Sequence, residues 1–247
     1  MNRQILNFET LEREMVCALR FIDGATGKTI REAVHVSAPG VKLFRKSNGD
    51  VIILESDGSA VKTLDIQPAT PDYLPRRYAL NLPRPGNAGD AGSIFEPVEL
   101  PLYPSTTYPI TGNAATLHIT VKRKADAKLI AGALVRIVRA DKPSFIAKSI
   151  TNTVGEALII VGSAPLTVQN GGNPTRVIDA QLDILVAEND ETYVAESELS
   201  TARRRILIVN PDELEANRLT LGPKWKSVPV ELWAGGFKVV EVLMEPP

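Results

Sequence analysis

Residues 27–29, Gly27-Lys28-Thr29, are of the types that bind phosphate in nucleotide-binding loops. That loop needs another glycine five positions before Gly27, where Ile22 stands, and a helix after the threonine. A β-turn is therefore the better interpretation. The spaced glycines between residues 86 and 92 do not fit a dinucleotide fingerprint either, because their spacing differs and they follow prolines instead of a strand.

Acid–base and metal chemistry find little support in the sequence. The two histidines, His35 and His118, each fall on the polar phase of a strand pattern, and neither is followed by the second ligand of a zinc motif. The Gly-x-Ser-x-Gly elbow of hydrolases is missing. Acid pairs at residues 55–57 and 188–191 are expected to be loop charges, with a weak calcium site as the alternative. We expect no catalytic residues, no metal and no cofactor, and hence no enzyme.

Clusters of arginine and aromatic residues point instead to contacts with other proteins. The arginines at 203–205 adjoin an apolar run and are either a solvated strand end or a contact for an acidic partner. Two tryptophans eight positions apart share a strand phase, so we expect one in the core and one at an interface. The candidate interface residues are Arg76, Arg77, Tyr103, Tyr108, Arg203, Arg204, Arg205, Trp225 and Trp233.

The composition is that of a folded globular chain, with 247 residues, 44% hydrophobic, 23% charged, and a net charge of -1. This length permits one large or two ordinary domains. The near-zero charge and few aromatics give no reason to expect nucleic-acid binding. The one cysteine, Cys17, forms no intramolecular disulfide and is expected to be a buried thiol within a strand.

The N-terminus has no apolar signal-peptide core, and no apolar run approaches the roughly 18 residues that a membrane helix needs. We therefore expect synthesis in the cytoplasm without a signal peptide and without membrane insertion. Such a protein could still become part of a virion or of a released phage-tail-like particle.

Most segments of the sequence have the pattern of β-strands, and these strands must position the candidate residues. In the first half, residues 15–22 and 30–36 are predicted to form one hairpin, and residues 41–44 and 51–54 another around the turn Asn48-Gly49. Nine of the 18 prolines lie between residues 68 and 109, which excludes central strands there. A disordered linker and an ordered extended segment both fit this density, and the apolar content favours the ordered segment, with a mobile loop at residues 86–92.

In the second half, residues 116–121, 133–138, 146–150 and 157–161 are predicted to continue one sheet, and residues 177–186 alternate most regularly. Residues 191–199 could add a strand. Residues 226–233 and 237–244 are predicted to form a C-terminal hairpin, and residues 210–218 are the best helix candidate. The expected fold is all-β, with two tandem immunoglobulin-like or transthyretin-like sandwiches, residues 1–112 and 113–247, joined by a proline-rich segment, and at most one short helix. A single elongated β protein is the alternative.

Two motifs in the second half carry a family resemblance. Residues 132–135, Gly-Ala-Leu-Val, are followed by residues 151–155, Thr-Asn-Thr-Val-Gly. The glycines permit sharp turns, and the side chain of Asn152 can accept hydrogen bonds from nearby backbone amides. This half resembles the carboxypeptidase regulatory-like family, a transthyretin-like seven-stranded sandwich found beside peptidases and in surface and virion proteins. Asn152 replaces the usual Asp and Ala157 the usual aromatic residue. The first half is similar only through the turn at residues 21–30.

The resemblance implies a non-catalytic structural or adaptor protein that contacts other protein subunits of a large assembly, as a homo-oligomer or in a ring. Phage tails and phage-tail-like contractile injection particles carry such domains on cap, baseplate or fibre proteins. The alternative is a carbohydrate- or surface-binding sandwich module, with tyrosines near the proline-rich segment as the aromatic contacts.

Overall fold

The computed structural model describes residues 15–56, 61–81, 97–110, 114–139, 145–162, 177–185, 193–194, 206–207, 225–233 and 235–245. These residues form strands and turns and contain no helix, which confirms the predicted all-β class. The predicted helix at residues 210–218 and the predicted loop at residues 86–92 lie outside the described residues.

The first half contributes seven strands. They are β1 (Cys17–Asp23), β2 (Val34–Ser37), β3 (Val41–Arg45), β4 (Val51–Ser56), β5 (Val61–Pro68), β6 (Arg76–Asn81) and β7 (Val98–Leu102). One sheet has the order β3-β4-β1-β7, and the facing sheet contains β6, β5 and β2. Leu19, Phe21, Leu64, Ile66 and Leu100 meet in the core between them, because alternate strand residues point to one face.

The second half contributes the remaining strands. They are β8 (Ala115–Arg123), β9 (Leu134–Arg139), β10 (Phe145–Ile150), β11 (Glu156–Val161), β12 (Val177–Leu185), β13 (Tyr193–Val194), β14 (Ile206–Leu207), β15 (Trp225–Trp233) and β16 (Phe237–Met244). Sheets β10-β9-β12-β15 and β11-β8-β16 enclose a second core that includes Leu117, Ile119, Val135, Leu182 and Val242. The protein is thus built of two tandem β-sandwiches with separate cores.

The two sandwiches share one strand plan. In each, the first strand pairs antiparallel with the fourth and parallel with the last, as β1 does with β4 and β7, and β8 with β11 and β16. The third strand differs, because β3 pairs with β4 whereas β10 pairs with β9 in the opposite sheet. The second sandwich is therefore a variant of the first in which one edge strand has changed sheets.

Two short strands of the second half join the first sandwich. β13 pairs with β14, and β14 pairs in parallel with β6 through Leu207 and Arg76. β13 falls within the segment predicted to add a strand, residues 191–199. The division of the chain at residue 112 stays a prediction.

The structure corrects three strand connections. β1 and β2 do not form the predicted hairpin, because the chain forms a single bridge between Ile22 and Thr29 and then crosses to the other sheet. β15 and β16 likewise belong to different sheets, so the C-terminal hairpin is wrong. The four strands predicted to continue one sheet, β8 to β11, are divided between both sheets. In the first two cases the sequence located a turn correctly, at Gly27 and at Gly235, but turn residues do not fix which sheet receives the next strand.

Other local predictions are confirmed. β3 and β4 form the hairpin around Asn48-Gly49, and Gly49 has a φ of 94°. Cys17 is a buried thiol in β1, and its burial raises the pKa of the thiol. The proline-rich segment is ordered at β6 and β7, and Pro97 and Pro101 lie beside and within β7, an edge strand of its sheet. The expected exclusion of central strands from this segment is wrong, because β6, which carries no proline, lies between β5 and β14.

Candidate protein interface

The two predicted arginines of the first sandwich are neighbours in β6 but occupy different environments. Arg77 forms a two-pronged ion pair with Asp65 on β5, with Nε–Oδ1 and Nη2–Oδ2 distances of 2.6 and 2.9 Å. Its side chain is about one third exposed. Arg76 is 1% exposed, so its guanidinium lies inside the sandwich and is not part of the accessible surface.

The two predicted tyrosines are also held within the chain. Tyr103 is buried, whereas Tyr108 is half-buried and donates its hydroxyl proton to Oδ2 of Asp23 at 2.6 Å. Burial and this hydrogen bond raise the pKa of Tyr108 to about 12. The Tyr108 ring also packs edge-to-face on Tyr73, with centroids 5.6 Å apart. These tyrosines therefore secure the segment after β7 against the β1 turn.

The remaining predicted residues divide between the second sandwich and the undescribed part of the chain. Trp233 ends β15 and is half-exposed, and the ammonium of Lys238 lies 5.5 Å from its ring centroid. Trp225 begins β15, but its side chain lies outside the described residues, as do Arg203, Arg204 and Arg205. Of the acids considered for calcium, Glu55 lies in β4, and the others lie outside the described residues. Within the described part, the structure brings Arg76 and Tyr103 together, but it does so in the interior and not at an accessible surface.

An apolar stripe that the sequence analysis missed lies on β16, the strand that follows Trp233 in the chain. It consists of Phe237, Val239 and Leu243 on β16, which we call the β16 stripe; their exposed fractions are 60%, 63% and 39%. They alternate with Val240, Val242 and Met244, which face the core side of the sheet. The available signal was the run Phe-Lys-Val-Val-Glu-Val-Leu-Met, which is apolar in both phases of the strand. Apolar residues in both phases indicate a strand that can be covered on both faces.

On the outer face of the sheet β11-β8-β16, the solvent exposure of the side chains increases from β11 to β16. Leu158 on β11 lies opposite His118 on β8, and His118 lies opposite Val239 on β16. Leu158 is buried, His118 is half-buried, and Val239 is exposed. His118 Nε2 lies 3.8 Å from Glu156 Oε2, a contact within the sheet. Val239 of the β16 stripe is therefore the exposed end of a cross-strand row whose first member, Leu158, is buried.

The main chain of β16 also offers an unpaired edge among the described residues. The carbonyl of Gly236 accepts a hydrogen bond from the amide of Thr116 on β8, and the carbonyl of Met244 accepts one from the amide of Lys124, directly after β8. Because parallel pairing uses every second residue, the amides of residues 237, 239, 241 and 243 face away from β8. No described strand pairs with that side, so the edge can accept a further strand.

The equivalent edge of the first sandwich is protected. β7 pairs with β1 as β16 pairs with β8, but β7 contains Pro101, which has no N–H, and the exposed Glu99. Proline and charge are the usual means of keeping an edge strand from pairing. On β16 the corresponding protection is limited to Glu241 and to the ammonium of Lys226, which donates to the carbonyl of Leu243 at 2.8 Å. Two edges with one topology therefore differ in their capacity to bind a partner.

Charged side chains lie around the β16 stripe and form a polar rim. Lys122 pairs with Glu241, and Lys124 pairs with Glu245, both across the β8–β16 pair. Such exposed pairs contribute little to stability but keep the rim polar. An apolar centre with a polar rim is the usual construction of a protein–protein contact.

Other site types find no support in the part of the chain described. Its residues include no group of three or more His, Cys, Asp or Glu side chains placed to hold a metal ion. These residues also contain no helix that is long and apolar enough to cross a membrane.

Comparison with known proteins gives distant structural likenesses. No family model matches the chain, and neither does any curated protein sequence. The Bacillus anthracis TIE protein aligns with 94% of the chain at 14% identity and a TM-score of 0.30, and the chain spans only 34% of that protein. The shaft pilin SpaA of Lactobacillus rhamnosus GG aligns with 96% of the chain and 98% of its own length, at 9% identity and a TM-score of 0.27. GBS52, a minor pilin of Streptococcus agalactiae, aligns with 81% of the chain and 64% of its own length, at 10% identity and a TM-score of 0.25.

Proposed function

We propose that the protein is a non-catalytic structural subunit that joins protein chains into a large assembly through the edge strand β16. The observation that supports this most directly is the β16 stripe on an unpaired strand edge. Addition of a strand would satisfy the outward amides of β16 and would place cross-strand side chains against Phe237 and Val239. The partner proposed for this edge is a second copy of the chain, in keeping with the homo-oligomer expected from the sequence.

The rigidity of the sandwich suits such a role. β16 is held by its pairing with β8 and by the packing of its inward residues. Val242 and Met244 lie in the core together with residues of β8, β9 and β12. A rigid edge presents its hydrogen-bonding groups without first having to be ordered, which lowers the entropic cost of association.

The finer proposal is a cap, baseplate or fibre-associated component of a phage tail or a phage-tail-like contractile injection particle. It is supported by the resemblance of residues 117–161 to carboxypeptidase regulatory-like domains, and by the expected cytoplasmic synthesis without disulfides. It predicts that electron microscopy of native particles will show the protein as a ring or as a decoration on a symmetric tube. A monomer that co-purifies with no particle would contradict it.

The positions of the tyrosines do not favour the carbohydrate-binding alternative. It depended on exposed tyrosines near the proline-rich segment, but Tyr103 is buried, and Tyr73 and Tyr108 pack against each other.

The substitution Val239→Lys tests the interface. A lysine here places a charge in the centre of the β16 stripe and should prevent strand addition, while the side chain stays on the solvent side of a folded sandwich. Light scattering after size-exclusion chromatography, over a range of protein concentrations, should show an oligomer for the wild type and a monomer for V239K.

A matched control is Val154→Lys, which places the same charge on another exposed valine, in the turn before β11. V154K should assemble as the wild type does. A wild-type protein that is monomeric at every concentration would contradict the proposal, and so would an oligomer unaffected by V239K.

A further inference from the structure

Arg76 is the largest side chain fully buried in the described part of the protein. It begins β6, and its Nη1 donates a hydrogen bond to the carbonyl of Pro101 at 2.8 Å. Its guanidinium carbon lies 5.4 Å from the ring centroid of Tyr78 and 5.4 Å from that of Tyr103. Two aromatic rings and one carbonyl therefore enclose a cation that is almost completely removed from water.

The other edge of this guanidinium is unsatisfied. Nε and Nη2 of Arg76 are buried and have no hydrogen-bond acceptor among the residues that the structure describes. These two nitrogens form the side-on fork of arginine, whose parallel N–H groups match the two oxygens of a carboxylate. A buried cation without a counter-charge is strongly unfavourable, and buried donors in folded proteins almost always have partners.

Two other arginines of the same sandwich show how this fork is normally filled. Arg20 binds Asp50 through Nε and Nη2 at 3.1 Å each. Arg77 binds Asp65 through the same two nitrogens. Arg76 therefore presents the donor pair that its neighbours use for carboxylates, in a more enclosed place, and the described residues supply no carboxylate for it.

We propose that the fork of Arg76 is a binding site for one small oxyanion, of the carboxylate or phosphate type, with Tyr78 and Tyr103 beside it. The anion neutralises the buried charge and satisfies both donors at once. A water molecule would satisfy a donor but would leave the charge uncompensated. Because Arg76 is enclosed, the occupant is a small free anion and not the side chain of a partner protein.

Thermal unfolding of the full-length protein tests this site. Sodium acetate and sodium phosphate are each titrated at pH 7, with sodium chloride holding the ionic strength constant. At an anion concentration ten times Kd, the Tm of the wild type should rise by about 3 to 6 °C. Comparison of the two titrations shows whether the site prefers a carboxylate or a phosphate.

The matched variants are Arg76→Lys and Arg77→Lys, which make the same change at adjacent positions. Lysine keeps the charge but loses the fork, so R76K should lose the anion-dependent rise in Tm. R77K should retain that rise, since Arg77 already holds Asp65. Equal responses of R76K and R77K would overturn the proposal, as would a wild-type Tm indifferent to both anions.

A measurement on the wild type alone covers the case in which R76K does not fold. Equilibrium dialysis with labelled phosphate and labelled acetate should give one bound anion per chain for the preferred species. Near-ultraviolet circular dichroism should change on binding, because Tyr78 and Tyr103 lie beside the site. Binding of neither anion would overturn the proposal without reference to any variant.

Discussion

At the scale of single residues, polar side chains fix the turns that connect the sheets. Asn152 accepts hydrogen bonds from the amides of Val154 and Glu156 at 2.9 and 3.0 Å, as its sequence context predicted. The hydroxyl of Thr151 donates to the carbonyl of Ile130 and accepts from the amide of Ala133, both at 2.8 Å. The two motifs that carry the family resemblance therefore hold each other in place.

The contacts of Thr151 reach backbone 18 and 21 residues away along the chain. The contacts of Asn152 reach backbone only 2 and 4 residues away, so they were predictable. The burial of Arg76 and Tyr103 was not, since it depends on strands far apart in the sequence. Sequence alone treats an arginine as a surface residue, which is the usual location of that residue type. The exposure of Phe237 was missed for the converse reason, because an apolar residue in a strand is usually covered.

The ion pair between Arg20 and Asp50 predicts a dependence of stability on pH. Hydrogen bonds from Arg20, followed by one from Asn48, hold the pKa of Asp50 below its ordinary value. The carboxylate therefore stabilises the fold above the unfolded pKa of about 3.9, and this contribution is lost as the pH falls through the lower folded-state pKa. Asp50→Asn should lower the free energy of unfolding by about 1 to 2 kcal/mol at pH 7, because Arg20 is partly exposed.

Urea unfolding of the wild type and D50N at a series of pH values measures this difference. The gap between them should be full at pH 7 and should close as the pH is lowered below about 4. Asp126→Asn, at an exposed turn, is the control and should show a small gap throughout. A D50N gap that stays constant with pH would exclude the ion pair as its source.

At the scale of elements, glycines with positive φ decide where the chain can turn. Gly132 and Gly155 have φ values of 71° and 68°, in agreement with their predicted role as turn residues. The strands on either side of such turns were located correctly, because their apolar alternation is a local property. Their sheet partners were not, as the separation of β15 from β16 illustrates. Pairing is decided by packing between distant segments, which a local pattern does not contain.

The conformation and the close surroundings of Gly155 predict that a larger residue there destabilises the fold. A Cβ atom there would lie 2.9 Å from the carbonyl oxygen of Val121 and 3.0 Å from the Cβ of Leu129, in addition to the strain of its φ. Gly155→Ala should therefore lower the free energy of unfolding by about 1 to 2 kcal/mol through φ, and by about 1 to 3 kcal/mol more through the contacts. Urea denaturation provides the measurement.

Gly27→Ala separates these two effects. Gly27 has a φ of 71° but no heavy atom within 4 Å of the added Cβ, so only the φ strain should appear. If G155A and G27A were equally destabilising, the close approach of the Gly155 turn to β8 would have no energetic consequence.

At the scale of the whole molecule, one sandwich plan occurs twice with different edges. β7 ends the first sandwich with Pro101 and Glu99, whereas β16 ends the second with the β16 stripe. The fold class and the tandem arrangement were predictable from strand patterns and turns. The difference between the two edges was not, because it appears only when both strands are seen to occupy equivalent positions. That difference is the basis for proposing that the protein assembles through β16.

Amide hydrogen exchange of the full-length protein, followed residue by residue at low and high protein concentration, tests this proposal most directly. Strand addition at β16 should slow exchange at residues 237, 239, 241 and 243 as the concentration rises, because their amides face the unpaired edge. Residues 238, 240 and 242, already paired with β8, should change little, and the edge strand β7 should not change. Exchange at β16 that is independent of concentration, or protection that appears at β7 instead, would contradict the account.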